Sequence, residues 1–301
     1  MAQSLLEVHR NASSDTELPE ETETEQPVAE VANDVPPPTP PTCPTCATPS
    51  CTITSSDELR IVGGSNVSPK DKYPWIVLLT YLNSPSGQGT LINDRTVVTT
   101  ATIVNSMPVI MHIRALLGVY NRAATNASIS SLKIKTAYAH PGYSSTDLFS
   151  DNIGLLELKV PLTSYKIACL PIEVPEARPV SKATVIGWGA TFPNGPLSNI
   201  LQEVELQMYP PLLCFTASAK VTSKNLCGGP GESVFDFKTT CTGDGGDPLV
   251  VKNGASWVLI GIALDIPEIQ CGVNRRPAMF TNVIPYLNWI ATYGPGCKCG
   301  A

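Results

Sequence analysis

Near residue 60 the chain changes character, and that change decides which part of it can build a core. Residues 1–60 carry eleven Asp and Glu side chains against only Arg10 and Arg60, a formal charge of −9. Residues 61–301 carry fifteen acidic and eighteen basic side chains, or +3, so the net charge of −6 belongs to the first sixty residues. Residues 1–42 are polar and acidic and end in Pro36-Pro37-Pro38-Thr39-Pro40-Pro41. They offer too little apolar surface to offset the entropy of ordering, and the proline run favours an extended chain. The expectation is a disordered acidic, proline-rich and cysteine-containing tail over 1–60 and a folded domain over 61–301.

The charge pattern and the cysteines narrow the class. No basic stripe points to nucleic acid, and no run of eighteen apolar residues predicts a membrane span. Ten cysteines, an even number, favour an oxidised, secreted protein. The first residues, Met1-Ala2-Gln3-Ser4-Leu5-Leu6-Glu7, lack the basic start and long apolar core of a signal peptide. Either another N-terminus or another export route is therefore expected. Cys43-Pro44-Thr45-Cys46-Ala47-Thr48-Pro49-Ser50-Cys51 contains a C-x-x-C, but no His lies nearby and no helix follows. Structural disulfide ends are the better reading, and no metal or cofactor is predicted. The sequons at Asn11, Asn66 and Asn126 are candidate glycosylation sites compatible with secretion.

Local patterns within 61–301 are those of strands. Residues 73–82, Tyr-Pro-Trp-Ile-Val-Leu-Leu-Thr-Tyr-Leu, are rich in β-branched and aromatic side chains. Residues 89–101 read as two strands around a polar turn at Asn93-Asp94-Arg95. Near the end, Val283, Leu287 and Ile290 fall on one face of a helix.

Two motifs then carry a resemblance. Arg60-Ile61-Val62-Gly63-Gly64 stands 183 residues before Asp244 in Cys241-Thr242-Gly243-Asp244-Gly245-Gly246-Asp247-Pro248-Leu249-Val250. Together with Ala139-His140-Pro141-Gly142-Tyr143, Val185-Ile186-Gly187-Trp188-Gly189 and residues 280–290, they resemble the trypsin-like serine proteases over about residues 61–293. The resemblance implies an all-β fold of two six-stranded antiparallel Greek-key β-barrels with a C-terminal helix. It implies an activation cleavage between Arg60 and Ile61, after which the new Ile61 amine pairs with Asp244. It also implies disulfides Cys214–Cys227 and Cys241–Cys271, and a tether from Cys169 to the N-terminal tail with Cys51 as its best partner. Cys43, Cys46, Cys297 and Cys299 are left without an assigned pairing.

The same alignment places Thr102, Asn152 and Gly245 where the family carries its catalytic His, Asp and Ser. A triad works because a base takes the serine proton, an acid orients that base and backbone N–H groups hold the oxyanion. Thr is no base near neutral pH and Gly has no nucleophile, while the resemblance implies that the Gly243 and Gly245 N–H groups still serve as oxyanion-type donors. Losing the Ser or the His role alone costs about 10⁶ in turnover in a related system. The family's adjoining disulfide would fall at Gly87 and Ile103, so both its cysteines are absent together. The specificity pocket departs as well, with Thr239 and Ala278 at positions that line it, and Ala263-Leu264-Asp265 replaces the substrate-pairing strand. His112 and His140 are the histidines of residues 61–301, and neither lies at the expected loop. Asp151 stands one residue from the acid position, where a strand would point it to the other face.

These departures resemble those of insect serine protease homologues, although the clip domain is missing. The expected function is therefore a secreted, non-catalytic homologue that binds an upstream activating protease, another protease or a zymogen in a cascade such as melanisation. The alternatives are a weak hydrolase built on Asp151 or another nucleophile, and a structural or adhesive secreted protein.

Overall fold

The computed structural model describes residues 64–124, 128–171, 180–191, 195–230, 240, 243–254, 256–266 and 277–296. After β1 (Ser65–Asn66), the next strands are β2 (Ile76–Tyr81), β3 (Ser84–Leu91) and β4 (Thr96–Thr99). A short helix α1 (Ala101–Ser106) follows, then β5 (Ile113–Leu117), β6 (Ser130–Ala139) and β7 (Gly154–Leu158). Strands β2-β3-β4-β7-β6-β5 close into a barrel in that order, every pair antiparallel.

The polar turn expected at Asn93-Asp94-Arg95 joins β3 to β4. Asn93 Oδ1 accepts the backbone N–H groups of Arg95 and Thr96 at 2.9 and 2.7 Å, so one short side chain replaces two missing ladder bonds. β2 and β3 meet through Leu82 and Asn83, both at positive φ (52° and 65°), the backbone twist that a two-residue hairpin needs.

The second barrel is built from β8 (Lys182–Gly187), β9 (Gln202–Met208), β10 (Asn225–Gly229), β11 (Pro248–Asn253), β12 (Ser256–Ala263) and β13 (Ala278–Asn282). Their order is β9-β10-β13-β12-β11-β8, closed by the β8–β9 pairing, with β1 added beside β9. Helix α2 (Pro211–Ala217) lies between β9 and β10, and α3 (Leu287–Tyr293) ends the described chain after a 3₁₀ turn at Ile284–Tyr286. Val283 and Ile290 are buried and Leu287 packs against the same cluster, as the helical spacing predicted. Two six-stranded antiparallel barrels and a C-terminal helix are thus the observed fold.

One apolar cluster runs across both barrels, with Trp75, Leu79 and Leu155 from the first and Trp188, Leu259 and Ile262 from the second. Burying each such side chain contributes about 1.5–3 kcal/mol, which fixes the two barrels against each other and with them the loops at their junction. The expected disulfide Cys214–Cys227 is present and closes a 13-residue separation beneath α2. No helix among the described residues is long and apolar enough to cross a membrane.

Candidate functional site

Four loops converge where the barrels meet: α1 after β4, the segment before β7, residues 243–247 before β11 and the segment after β12. Each carries a residue singled out in the sequence.

Thr100 starts α1. Its hydroxyl accepts the Ile103 N–H at 3.3 Å, the usual N-cap arrangement, and the turn places Thr102 over the start of β7. Asn152 is 2 % exposed and is bonded on every side. Its Oδ1 accepts the Thr102 N–H at 3.1 Å, and its Nδ2 donates to Thr102 Oγ1 and to the Leu148 carbonyl, both at 2.9 Å. The Thr281 hydroxyl donates to the Asn152 carbonyl at 2.8 Å, and the Tyr143 hydroxyl lies 2.9 Å from Thr102 Oγ1. The two positions expected to stand side by side do so, joined by a neutral network with no ionisable base.

Ile103, the next residue, explains how α1 is held without a disulfide. Its Cδ1 lies 2.7 Å from where a Cβ on Gly87 would sit, so an isoleucine and a glycine fill the space together. A larger residue at 87 is excluded unless Ile103 moves.

Asp151 has a different role from its neighbour. It adopts φ 51°, uncommon outside glycine, and its Oδ1 accepts from Lys224 Nζ at 2.6 Å and from the Tyr286 hydroxyl at 3.0 Å. His140 Nδ1 stands 3.8 Å from the same oxygen. Partial burial alone would raise the Asp151 carboxyl, but these hydrogen bonds and the Lys224 charge outweigh it and hold the group below its ordinary value. His140 packs between the rings of Tyr286 and Trp289, accepts the Gly142 N–H at 3.1 Å and is pushed down by burial. Asp151 and His140 thus anchor β7 to the C-terminal segment, and the nearest partners of Asp151 are not Thr102.

Residues 243–247 form the opposite wall. Gly243 and Gly246 take φ +88° and +87°, conformations only glycine adopts without strain. The loop is fixed by Gln88 Nε2 donating to the Gly243 carbonyl at 2.6 Å, the Asp247 N–H to the Asp244 carbonyl at 3.0 Å and the Gly246 N–H to the Ala263 carbonyl at 3.0 Å. A Cβ on Gly245 would lie 3.9 Å from Ile103 Cδ1, so the third expected position does face α1.

Two features of this wall go beyond the sequence reading. First, the Gly243 N–H, one of the donors that the family resemblance assigns to an oxyanion, is already taken: it donates to Asp265 Oδ2 at 3.1 Å. The Asp265 Cβ also stands 3.1 Å from where a Cβ on Gly245 would be. The side chain after β12 therefore closes over both the missing nucleophile and the anion donor. Second, Asp247 is 0 % exposed. Its carboxyl is pushed well above its ordinary value by burial and by the Asp244 and Asp265 carboxylates. The sequence signals were Asp247 at a glycine position and Asp265 closing Ala263-Leu264-Asp265; their meaning required the fold.

Ala278, expected in the altered specificity pocket, is buried in β13 opposite Gly228. Cys169 joins the strand system through its N–H to the Trp257 carbonyl at 2.9 Å and its carbonyl to the Leu259 N–H at 2.8 Å. Asn66 is exposed on β1, where its Oδ1 accepts Gln202 Nε2 at 2.6 Å. Arg60, Ile61, Thr239, Cys51, Cys241, Cys271, Asn11 and Asn126 lie outside the described residues.

Two barrels with these loops at their junction define a chymotrypsin-type β protein. The family model described as Trypsin matches residues 61–290, and the chain belongs to that family. It is similar to chymotrypsin-like elastase family member 1 of Canis lupus familiaris, 29 % identical over 241 residues that cover 77 % of this chain and 91 % of the relative. It is also similar to chymotrypsin-C of Rattus norvegicus, 30 % identical over 246 residues, covering 77 % and 87 %.

Proposed function

We propose that this chain is a secreted, non-catalytic member of the trypsin family that acts by binding. Cleavage after Arg60 converts it to the binding-competent form, and its partner is another protease or a zymogen of an extracellular cascade such as one of innate immunity. The observation that carries the reading is the pairing of two independent losses at one cleft. Thr102, Asn152 and Gly245 supply neither a base nor a nucleophile, and Asp265 occupies the Gly243 N–H. A substitution that merely disabled the chemistry would need only the first. The second fills the cleft, which favours recognition through its rim over turnover within it.

The hydrolase alternative has no support in the geometry, since the Asp151 carboxylate is engaged by Lys224 and Tyr286. The retained Arg60-Ile61 sequence and Asp244 favour a cleavage-controlled protein over a purely adhesive one. The test is a pull-down from the native fluid with the chain before and after cleavage at Arg60. A protease or zymogen enriched only by the cleaved form is expected. Equal capture by both forms, or capture of no protease-like protein by either, contradicts the reading.

A further inference from the structure

At one end of the cleft rim a cation stands without a counter-ion. The β5–β6 and β8–β9 connections meet there in a short antiparallel ribbon around the Asn121–Ile200 bridge. The Arg122 N–H donates to the Asn199 carbonyl at 2.8 Å, and the Leu201 N–H to the Tyr120 carbonyl at 2.9 Å. Side chains two apart in such a ribbon share a face, so Tyr120 and Arg122 project to the same side. Arg122 is half-buried. Its Nη2 donates to the Leu197 carbonyl at 3.1 Å, and its buried Nε meets no acceptor among the described residues. Partial burial pushes the guanidinium below its ordinary value, and among the described residues no carboxylate opposes the shift. Residues 118–130 and 188–200, which make up the two connections around it, contain no Asp or Glu. A second cation, the exposed Lys70, holds its Nζ 5.2 Å from the centroid of the Tyr120 ring.

Leu197 ties this corner to the cleft. It is 38 % exposed, and its Cδ2 lies 2.5 Å from where a Cβ on Gly243 would be. It therefore rests on the residue whose N–H donates to Asp265. The rim runs from the Arg122 cation, over an apolar side chain, to the exposed carboxylate of Asp265. An approaching anion is drawn to one end and repelled from the other, which fixes its place along the rim.

We propose that Arg122, with Lys70 beside it, anchors a Glu or Asp side chain of the protein partner, laid along the rim against Tyr120 and Leu197. The inference rests on the binding function proposed above and names the chemistry that the partner brings. A planar guanidinium offers paired N–H donors that match a carboxylate, and a partly desolvated arginine is the kind of residue that dominates an interface. Lys70, exposed and held over a ring, acts on the encounter rather than on the final contact. Tyr120 and Leu197 between the charges favour an acidic residue with an apolar neighbour. Two cations are too few for a sulfated polysaccharide or a nucleic acid, whose binding grows with the number of anionic groups neutralised.

The experiment titrates the full chain with an acetylated, amidated peptide of alternating Glu and Leu, with its Gln-for-Glu counterpart and with a heparin oligosaccharide. It reads the Arg122 Nε–H magnetic resonance signal and the Kd of each probe. The Glu peptide is expected to move that signal and the Gln peptide to leave it in place. Arg122→Gln is expected to weaken Glu-peptide binding about tenfold, and Lys70→Gln about threefold with the loss fading as salt is added. Arg122→Lys keeps the charge but not the fork, and recovers only part of the affinity. The signal in the unaltered chain decides the matter even where a variant fails to fold. A Glu peptide that leaves the signal unmoved, binds Arg122→Gln equally well or binds no better than its Gln counterpart overturns the anchor, as does tighter binding of the heparin fragment. The pull-down from the native fluid keeps the two readings apart. A protease or zymogen retained equally by cleaved Arg122→Gln overturns the anchor alone, whereas no protease-like capture by the unaltered chain contradicts the function while the peptide result still decides the anchor.

Discussion

The two walls of the cleft depart from a triad-bearing protease in opposite ways. On the wall of α1 and β7, ionisable chemistry has been exchanged for neutral groups that satisfy one another. Asn152, Thr102 and Tyr143 share hydrogen bonds of 2.9–3.1 Å, and Ile103 fills the space over Gly87. On the wall of residues 243–247 ionisable groups have been added: Asp247 is fully buried and Asp265 caps Gly243. A neutral, saturated network has one stable arrangement. The buried Asp247 carboxyl, whose oxygens meet no donor among the described residues, keeps one arrangement only while it stays protonated. The first wall therefore reads as structural closure and the second as the part that responds.

The largest effect expected from this contrast concerns catalysis. Restoring Thr102→His, Asn152→Asp and Gly245→Ser together leaves peptide hydrolysis at background, because Asp265 crowds residue 245 and holds the oxyanion donor. Adding Asp265→Gly raises hydrolysis by about 10²–10³, the worth of one freed oxyanion donor. Turnover of a fluorogenic peptide by the triple and quadruple variants checks this, and a triple variant as active as the quadruple breaks the proposed role of Asp265.

Next comes stability against pH. The Asp247 carboxyl is raised in the folded chain, so its contribution is fully present below the unfolded value of about 4 and is lost as pH rises through the raised folded value. The uncleaved chain is expected to lose up to about 1.4 kcal/mol per pH unit across that window, and Asp247→Asn to lose that slope. Denaturant unfolding at a series of pH values measures it. The neutral wall gives the smaller effects. Asn152→Ala orphans buried partners and is expected to destabilise by about 1–3 kcal/mol without introducing a pH dependence. Thr100→Ala removes the α1 N-cap and is expected to cost about 1 kcal/mol. A pH-dependent loss in Asn152→Ala would erase the distinction between the walls.

Much of this was legible in the sequence where the signal is local. The β-branched run that became β2, the Asn93 turn, the apolar face of α3 and the Cys214–Cys227 spacing each rest on residues close in the chain. The placement of Thr102 beside Asn152 followed from resemblance and holds in the structure. What stayed hidden depends on contacts between distant segments. Asp265 is an ordinary exposed aspartate until β12 carries it to Gly243, 22 residues away. Asp247 is only a departure from a glycine until β8 brings Gly187 against it. Ile103 and Gly87 look like two unrelated losses until one side chain is seen filling the other's space. Asp151 looks like a displaced acid until Lys224, 73 residues on, claims it.

The most direct test of recognition without turnover uses the natural chain cleaved after Arg60. Incubated with a fluorogenic peptide library and then with a serine-directed phosphonate, it is expected to show no hydrolysis above buffer and no covalent adduct. Sustained turnover, or an adduct on any side chain at the junction of the barrels, would contradict it.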